Sequence, residues 1–220
     1  MQKRKRMKAY IALALSLSLC GYAQVYKRTT PQPPKEKSPI NAQSKTGFML
    51  GFENAYILHT HHDASQMNIA LGLNLGYNVY FNDKVGMRIF GNYIRFLSDL
   101  ATGNAGTDYA GTNRFGFGLD FLYDYFNNND LGLSLGIFAG LGFGYDLQSY
   151  MFVDSQKSFD RSGFYSYATL GLNIIFDSSN RVDIGYRYTF LNANWINHAN
   201  NEKGSIASPF ALVIGYSYIF

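Results

Sequence analysis

The sequence predicts an all-β protein, an eight-stranded antiparallel up-and-down barrel. Three observations predict it. Apolar residues alternate with polar or small ones from Thr46 to the last residue, the connections alternate between short and long, and the composition is rich in aromatics and glycine. Aromatic residues make up 17% of the 220 and glycine contributes 22, while a single cysteine leaves no disulfide framework.

The chain opens on a segment that reads as a secretory signal peptide over residues 1–23. A basic stretch ends at Lys8, an apolar run follows from Ala9 to Leu19, and Gly21-Tyr22-Ala23 places small residues at −3 and −1 of a cleavage site after Ala23. The apolar run is shorter than the ~20 residues that a spanning helix needs. Lipidation at Cys20 is the alternative processing route, against which Leu19 stands where a small residue is expected. Residues 24–45 hold four of the five prolines and no apolar period, and are expected to form a disordered periplasmic linker.

The body, residues 46–220, divides into eight segments: 46–58, 66–81, 85–97, 113–126, 131–147, 162–176, 181–193 and 208–220. In 66–81 the odd positions run Met67, Ile69, Leu71, Leu73, Leu75, Tyr77, Val79, Phe81, while the even ones are mostly Asn, Gly and Ala. The same period-two split recurs in 114–126 and 181–190, and a helical period would mix the two sets. Short connections at 82–84, 127–130 and 177–180 are rich in turn residues. Polar ones at 59–65, 98–112, 148–161 and 194–207 are long. Three short turns and four long loops are what eight up-and-down strands need when both termini lie at one end.

Size and charge decide which face lies inside. In 131–147 one face is Gly132, Ser134, Gly136, Gly140, Gly142 and Gly144, interrupted by Phe138; the other is apolar throughout. An eight-stranded barrel has an interior just wide enough for side chains to fill it. Glycine and mixed-sign charge suit that lumen, and the opposite face suits hydrocarbon, with Tyr and Phe gathered toward strand ends as interfacial girdles. The expectation is therefore a transmembrane β-barrel and not a soluble barrel with an apolar interior. Lumen charges are assigned to Glu53, Arg88, Asp120, Asp124, Asp183 and Arg187. Unpaired charges would be expensive there, so they are expected to pair across the lumen. A side-chain plug is the preferred reading of that lumen; a narrow ion or solute channel is the alternative.

The last strand ends Tyr216-Ser217-Tyr218-Ile219-Phe220. It resembles the C-terminal signal that outer-membrane barrels present to the barrel-assembly machinery, which assigns that role to Tyr216, Tyr218 and Phe220. Over 46–220 the chain resembles the small OmpA/OmpX-like barrels, and its Tyr- and Asn-rich strands also resemble the Helicobacter outer-membrane protein family. The resemblance implies a bacterial outer-membrane location among lipid and lipopolysaccharide. No cell-wall-binding domain is expected after the barrel, a departure from the two-domain OmpA pattern.

Three further classes fit the sequence less well. Ten of the 19 basic residues precede Thr46; from there nine face 14 acidic ones, so the body has no nucleic-acid footprint. His59, His61 and His62 in the first long connection and His198 in the last are the residues that could ligate Zn²⁺ or Cu²⁺. A polar loop tip is the plainer reading, and no metal or other cofactor is called for. A lipid-modifying enzyme would need a nucleophile, a base and an orienting group. His59 or His198 with Ser65 or Ser205 is the nearest approach to one, and no catalytic residue is assigned. Support of the membrane, or adhesin-like contact with a host or surface ligand through loops 98–112 and 148–161, is the expected role.

Overall fold

A computed structural model of the protein describes residues 39–61, 64–97, 109–152, 157–191, 194–197, 203–205 and 207–220. Side chains are described for 39–57, 69–97, 112–147, 162–190 and 210–220. The signal segment and the linker up to residue 38 lie outside them.

Among the described residues, ten strands follow one short helix, α1 (Ala42–Lys45). They are β1 (Gly47–His61), β2 (Ala64–Tyr80), β3 (Val85–Phe96), β4 (Tyr109–Asn128) and β5 (Leu133–Phe152). Then come β6 (Lys157–Phe176), β7 (Asn180–Leu191), β8 (Asn194–Asn197), β9 (Lys203–Ser205) and β10 (Ala207–Ile219). Strands β1 to β6 each pair antiparallel with the next in sequence, and β10 pairs with both β7 and β1. The result is a closed ring of eight strands. Closure leaves no free edge, so backbone donors and acceptors pair within the wall.

The period-two pattern becomes two faces. On β3 burial alternates along the whole strand. Leu73, Phe117, Leu141 and Phe164 point outward with 61–74% of their surface exposed, whereas Asn78, Asp124 and Arg181 point inward and are fully buried. Outer aromatics meet directly across strand pairs: Phe48 with Tyr77 near the short turns, and Tyr93 with Phe115, Tyr145 with Phe164 and Tyr188 with Phe210 toward the other end. Their ring centroids lie 4.8–5.2 Å apart. Such pairs join neighbouring strands while forming the two girdles.

Short turns obey their local chemistry. Asn82 Oδ1 accepts hydrogen bonds from the backbone of Lys84 and Val85, and Asn128 Oδ1 from that of Leu131. Asp177 and Ser178 both have positive φ (51° and 63°), the backbone that lets a tight hairpin match the twist of β6 and β7.

Three differences from the sequence expectations stand at the long-loop end. The connection expected over 59–65 is mostly strand: β1 and β2 stay paired up to His61 opposite Ala64, leaving only 62–63 between them. β4, β5 and β6 continue through Tyr109–Thr112, Gln148–Phe152 and Lys157–Arg161, all expected as loop. The last connection carries the β8–β9 hairpin, which joins β6 through Arg161–Asn197 and Ser162–Ile196. Strand pairing needs only backbone groups, and beyond the bilayer both faces of a strand can be polar, so the alternation that marks a strand fades before the strand ends.

The lumen is not uniformly polar. Ala55, Ile57, Ala70, Ile94, Phe96 and Ala211 form an apolar layer toward the long loops, and Tyr80, Leu122, Phe138 and Ile175 another toward the short turns. The charged groups lie between and beside these layers.

Candidate functional site

Among the described residues, ten charged side chains inside the barrel are buried or nearly so: Lys45, Arg88, Arg114, Arg181 and Arg187 against Glu53, Asp120, Asp124, Asp146 and Asp183. Five cations thus meet five carboxylates, and each takes part in an ion pair.

From the short-turn end upward, Lys45 Nζ lies 2.7 Å from Asp124 Oδ2. Arg88 bridges Asp120 on the neighbouring strand, with Nε 2.9 Å from Oδ2, and Asp183 across the lumen. Asp183 also receives Arg181 Nε at 2.9 Å. Arg187 reaches Glu53 at 3.3 Å, whose second oxygen accepts from Asn74. Arg114 forks onto Asp146 through Nε and Nη2 at 2.6 and 2.8 Å, the planar two-bond geometry that suits a guanidinium. Aromatic rings cover the cations: Tyr165 under Arg114, Tyr167 under Arg187, Phe90 and Phe138 beside Arg88.

Glycine makes room for this filling. Gly142 and Gly144 on β5 face the rings of Tyr167 and Tyr165, and Gly136 and Gly140 face the carboxylates of Asp124 and Asp120; a methyl at any of the four would overlap them. The small face of β5 is therefore the complement of the large side chains on β4 and β6.

A cavity of about 40 Å³ remains among Glu53, Asn74, Arg88, Asp120, Thr169, Asp183 and Arg187. Met49, Phe90, Phe138 and Val213 complete its wall, which is thus mixed in character, and it is large enough for water. Among the described residues, buried groups without a protein hydrogen-bond partner include Nε of Arg187 beside this cavity and, elsewhere, both terminal nitrogens of Arg181 and both amide atoms of Asn78 and Asn92.

The six lumen charges expected from sequence all face inward, and the structure joins them as Glu53–Arg187, Arg88–Asp120 and Arg88–Asp183, with Asp124 paired to Lys45. Arg114, Asp146 and Arg181 complete the set; they sit on the same polar face, and period two is enough to place them there. Lys45 is not legible as a lumen residue, since it ends a segment expected to be a linker. Of that segment, residues 39–45 are built into the short-turn end. Asn41 and Ser44 form a capping box on α1, Ile40 is buried, and Lys45 enters the barrel. Tyr216 and Tyr218 lie on the outer face of β10, with exposed Phe220 just past its end, and the Tyr216 hydroxyl donates to Asn180 at 2.6 Å. His59 and His61 fall at the end of β1, in a stretch whose side chains, like those of Ser65 and Ser205, lie outside the described residues; His62 and His198 lie outside them altogether.

An outward apolar band, a closed ring of paired strands and an inward charged filling define a transmembrane β-barrel. Residues 11–220 match the family model of the outer membrane protein beta-barrel domain, and the chain belongs to that family of the bacterial outer membrane. Its fold is shared with the Neisserial surface protein A (NspA), 14% identical with a TM-score of 0.51 over 79% of this chain and 97% of that one. It is also similar to Ail, the attachment invasion locus protein of Yersinia pestis (17% identity, TM-score 0.49, 83% and 100% covered). OprG from Pseudomonas aeruginosa matches at 15% identity and TM-score 0.46, with 80% and 97% covered. The narrower resemblance to the Helicobacter proteins is not carried by these matches. No curated protein matches the chain in sequence.

Proposed function

We propose that this barrel is closed to flow and acts through what it holds at the cell surface. The observation that carries the reading is the pairing of five buried cations with five buried carboxylates across an eight-stranded lumen. A conduit keeps its charges hydrated and available to passing ions, whereas these are spent on one another and packed against aromatic rings. With short turns in the periplasm, as is general for such barrels, the long connections face outward. The extended ends of β4, β5 and β6 then carry the wall beyond the lipid on that side, and the connecting segments 98–108 and 153–156 are the ones this reading assigns to contact with a host or surface ligand.

Export through a signal cleaved after Ala23, and delivery to the assembly machinery through Tyr216, Tyr218 and Phe220, belong to the same reading. The test is adherence of bacteria expressing the full chain to host cells, against a chain whose 98–108 and 153–156 are replaced by short Asn-Gly turns. Adherence lost while the barrel still assembles is the expected result; equal adherence contradicts a role for these loops.

A narrow ion path is the second reading, favoured by the cavity beside Arg88 and Arg187 and by the unspent donors of Arg181.

A further inference from the structure

We propose that the short-turn mouth of the barrel is a binding site for a primary ammonium group, and that Lys45 is the occupant supplied by this chain. The seat is made by the barrel wall. Asp124 Oδ2 lies 2.7 Å from Lys45 Nζ, the carbonyl oxygen of Asp83 2.5 Å, and Asn127 Oδ1 3.5 Å. The face of Tyr80 lies 4.3 Å away. Three acceptors and one ring face match an ammonium, which has three hydrogens to donate and a compact charge for the ring. A flat guanidinium does not fit this arrangement.

The seat does not depend on its occupant for its shape. Asp124 is held by Ser134 Oγ at 3.0 Å and Asn173 Nδ2 at 3.1 Å, and the Asp83 carbonyl also accepts from Asn127 Nδ2 at 2.7 Å. The segment that delivers Lys45 is tied down by other bonds, from Ile40 N to Asn129 and from Ala42 N to Asp83 Oδ1. Its helix has four residues, too few to be stable without those ties. The lysine side chain can therefore be removed while these bonds to the seat and to the segment remain. An amine from outside the chain fits once the lysine is gone.

The experiment is chemical rescue. In the full chain expressed in outer membranes, Lys45→Ala removes the equivalent of propylamine and leaves Asp124 buried without its partner. The apparent Tm, read as the loss of folded-form gel mobility on heating, is expected to fall by roughly 6–20 °C. Propylammonium chloride restores at least half of that loss along a saturable curve. Tetramethylammonium and sodium chloride at equal ionic strength do not, and Lys45→Met, which keeps the seat filled, does not respond. Adding Asp124→Asn to Lys45→Ala abolishes the rescue. No rescue, a response that never saturates, or an equal response to tetramethylammonium overturns the proposal. If Lys45→Ala fails to assemble, refolding yield with and without propylammonium replaces the Tm, and an unchanged yield overturns it equally.

Discussion

Lys45 and Asp124, 79 positions apart in sequence, meet inside the barrel at 2.7 Å with neither side chain exposed. The contact ties the segment before β1 to β4 at the short-turn end and completes the charge balance among the described lumen residues. Without Lys45 the remaining buried set would carry one carboxylate in excess. The net attraction of such a buried pair matters less than the cost of stranding one member when the other is lost.

That asymmetry is measurable at Arg114 and Asp146, the forked pair nearest the long loops. Arg114→Met alone is expected to destabilise the barrel by about 3–5 kcal/mol, because it leaves the buried Asp146 carboxylate without its cation. Arg114→Met with Asp146→Leu is expected to recover most of the loss. Urea unfolding from lipid vesicles measures both; a single variant as stable as the parent would show that the pair is hydrated.

The small face of β5 makes a steric prediction. Gly142→Val drives a side chain into the Tyr167 ring and is expected to cost about 1–3 kcal/mol by overpacking. Combined with Tyr167→Ala, part of that loss should vanish, giving a coupling of about 1–3 kcal/mol. Strict additivity in the same unfolding assay would mean that the two positions do not share space.

Much of this arrangement is legible in the sequence, for a definite reason. Where a strand crosses a bilayer and bounds a narrow lumen, each residue must satisfy either hydrocarbon or packed charge, so Leu71, Leu73 and Leu75 separate cleanly from Gly72 and Asn74. That ground alone places Glu53, Arg88, Asp120, Asp124, Asp183 and Arg187 inside. Their partners require register, which the hydrophobic pattern limits but does not fix: Arg88 lies directly opposite Asp120, whereas its second partner Asp183 comes from across the lumen. The ends of β4, β5 and β6 carry no such signal, because water on both sides removes the need to alternate. Lys45 carries none because its neighbours Pro39, Asn41 and Ser44 have no period. The order of this segment comes from single hydrogen bonds, donated by Ile40 N to Asn129, by Ala42 N to Asp83 and by Ser44 N to Asn41.

The outer face predicts a dependence on depth. Leu141, exposed and near the middle of β5, should tolerate arginine badly, at about 2–4 kcal/mol, while Leu131→Arg in the β4–β5 turn should cost about 0–1 kcal/mol. Unfolding from vesicles compares them; equal costs would place the hydrocarbon band elsewhere on the wall.

Single-channel recording of the full chain in a planar bilayer tests the closed lumen most directly. The paired charges predict no reproducible conductance steps at any salt concentration. Stable openings whose conductance rises with salt would contradict the account and make Arg88, Arg187 and their carboxylate partners the lining of an ion path.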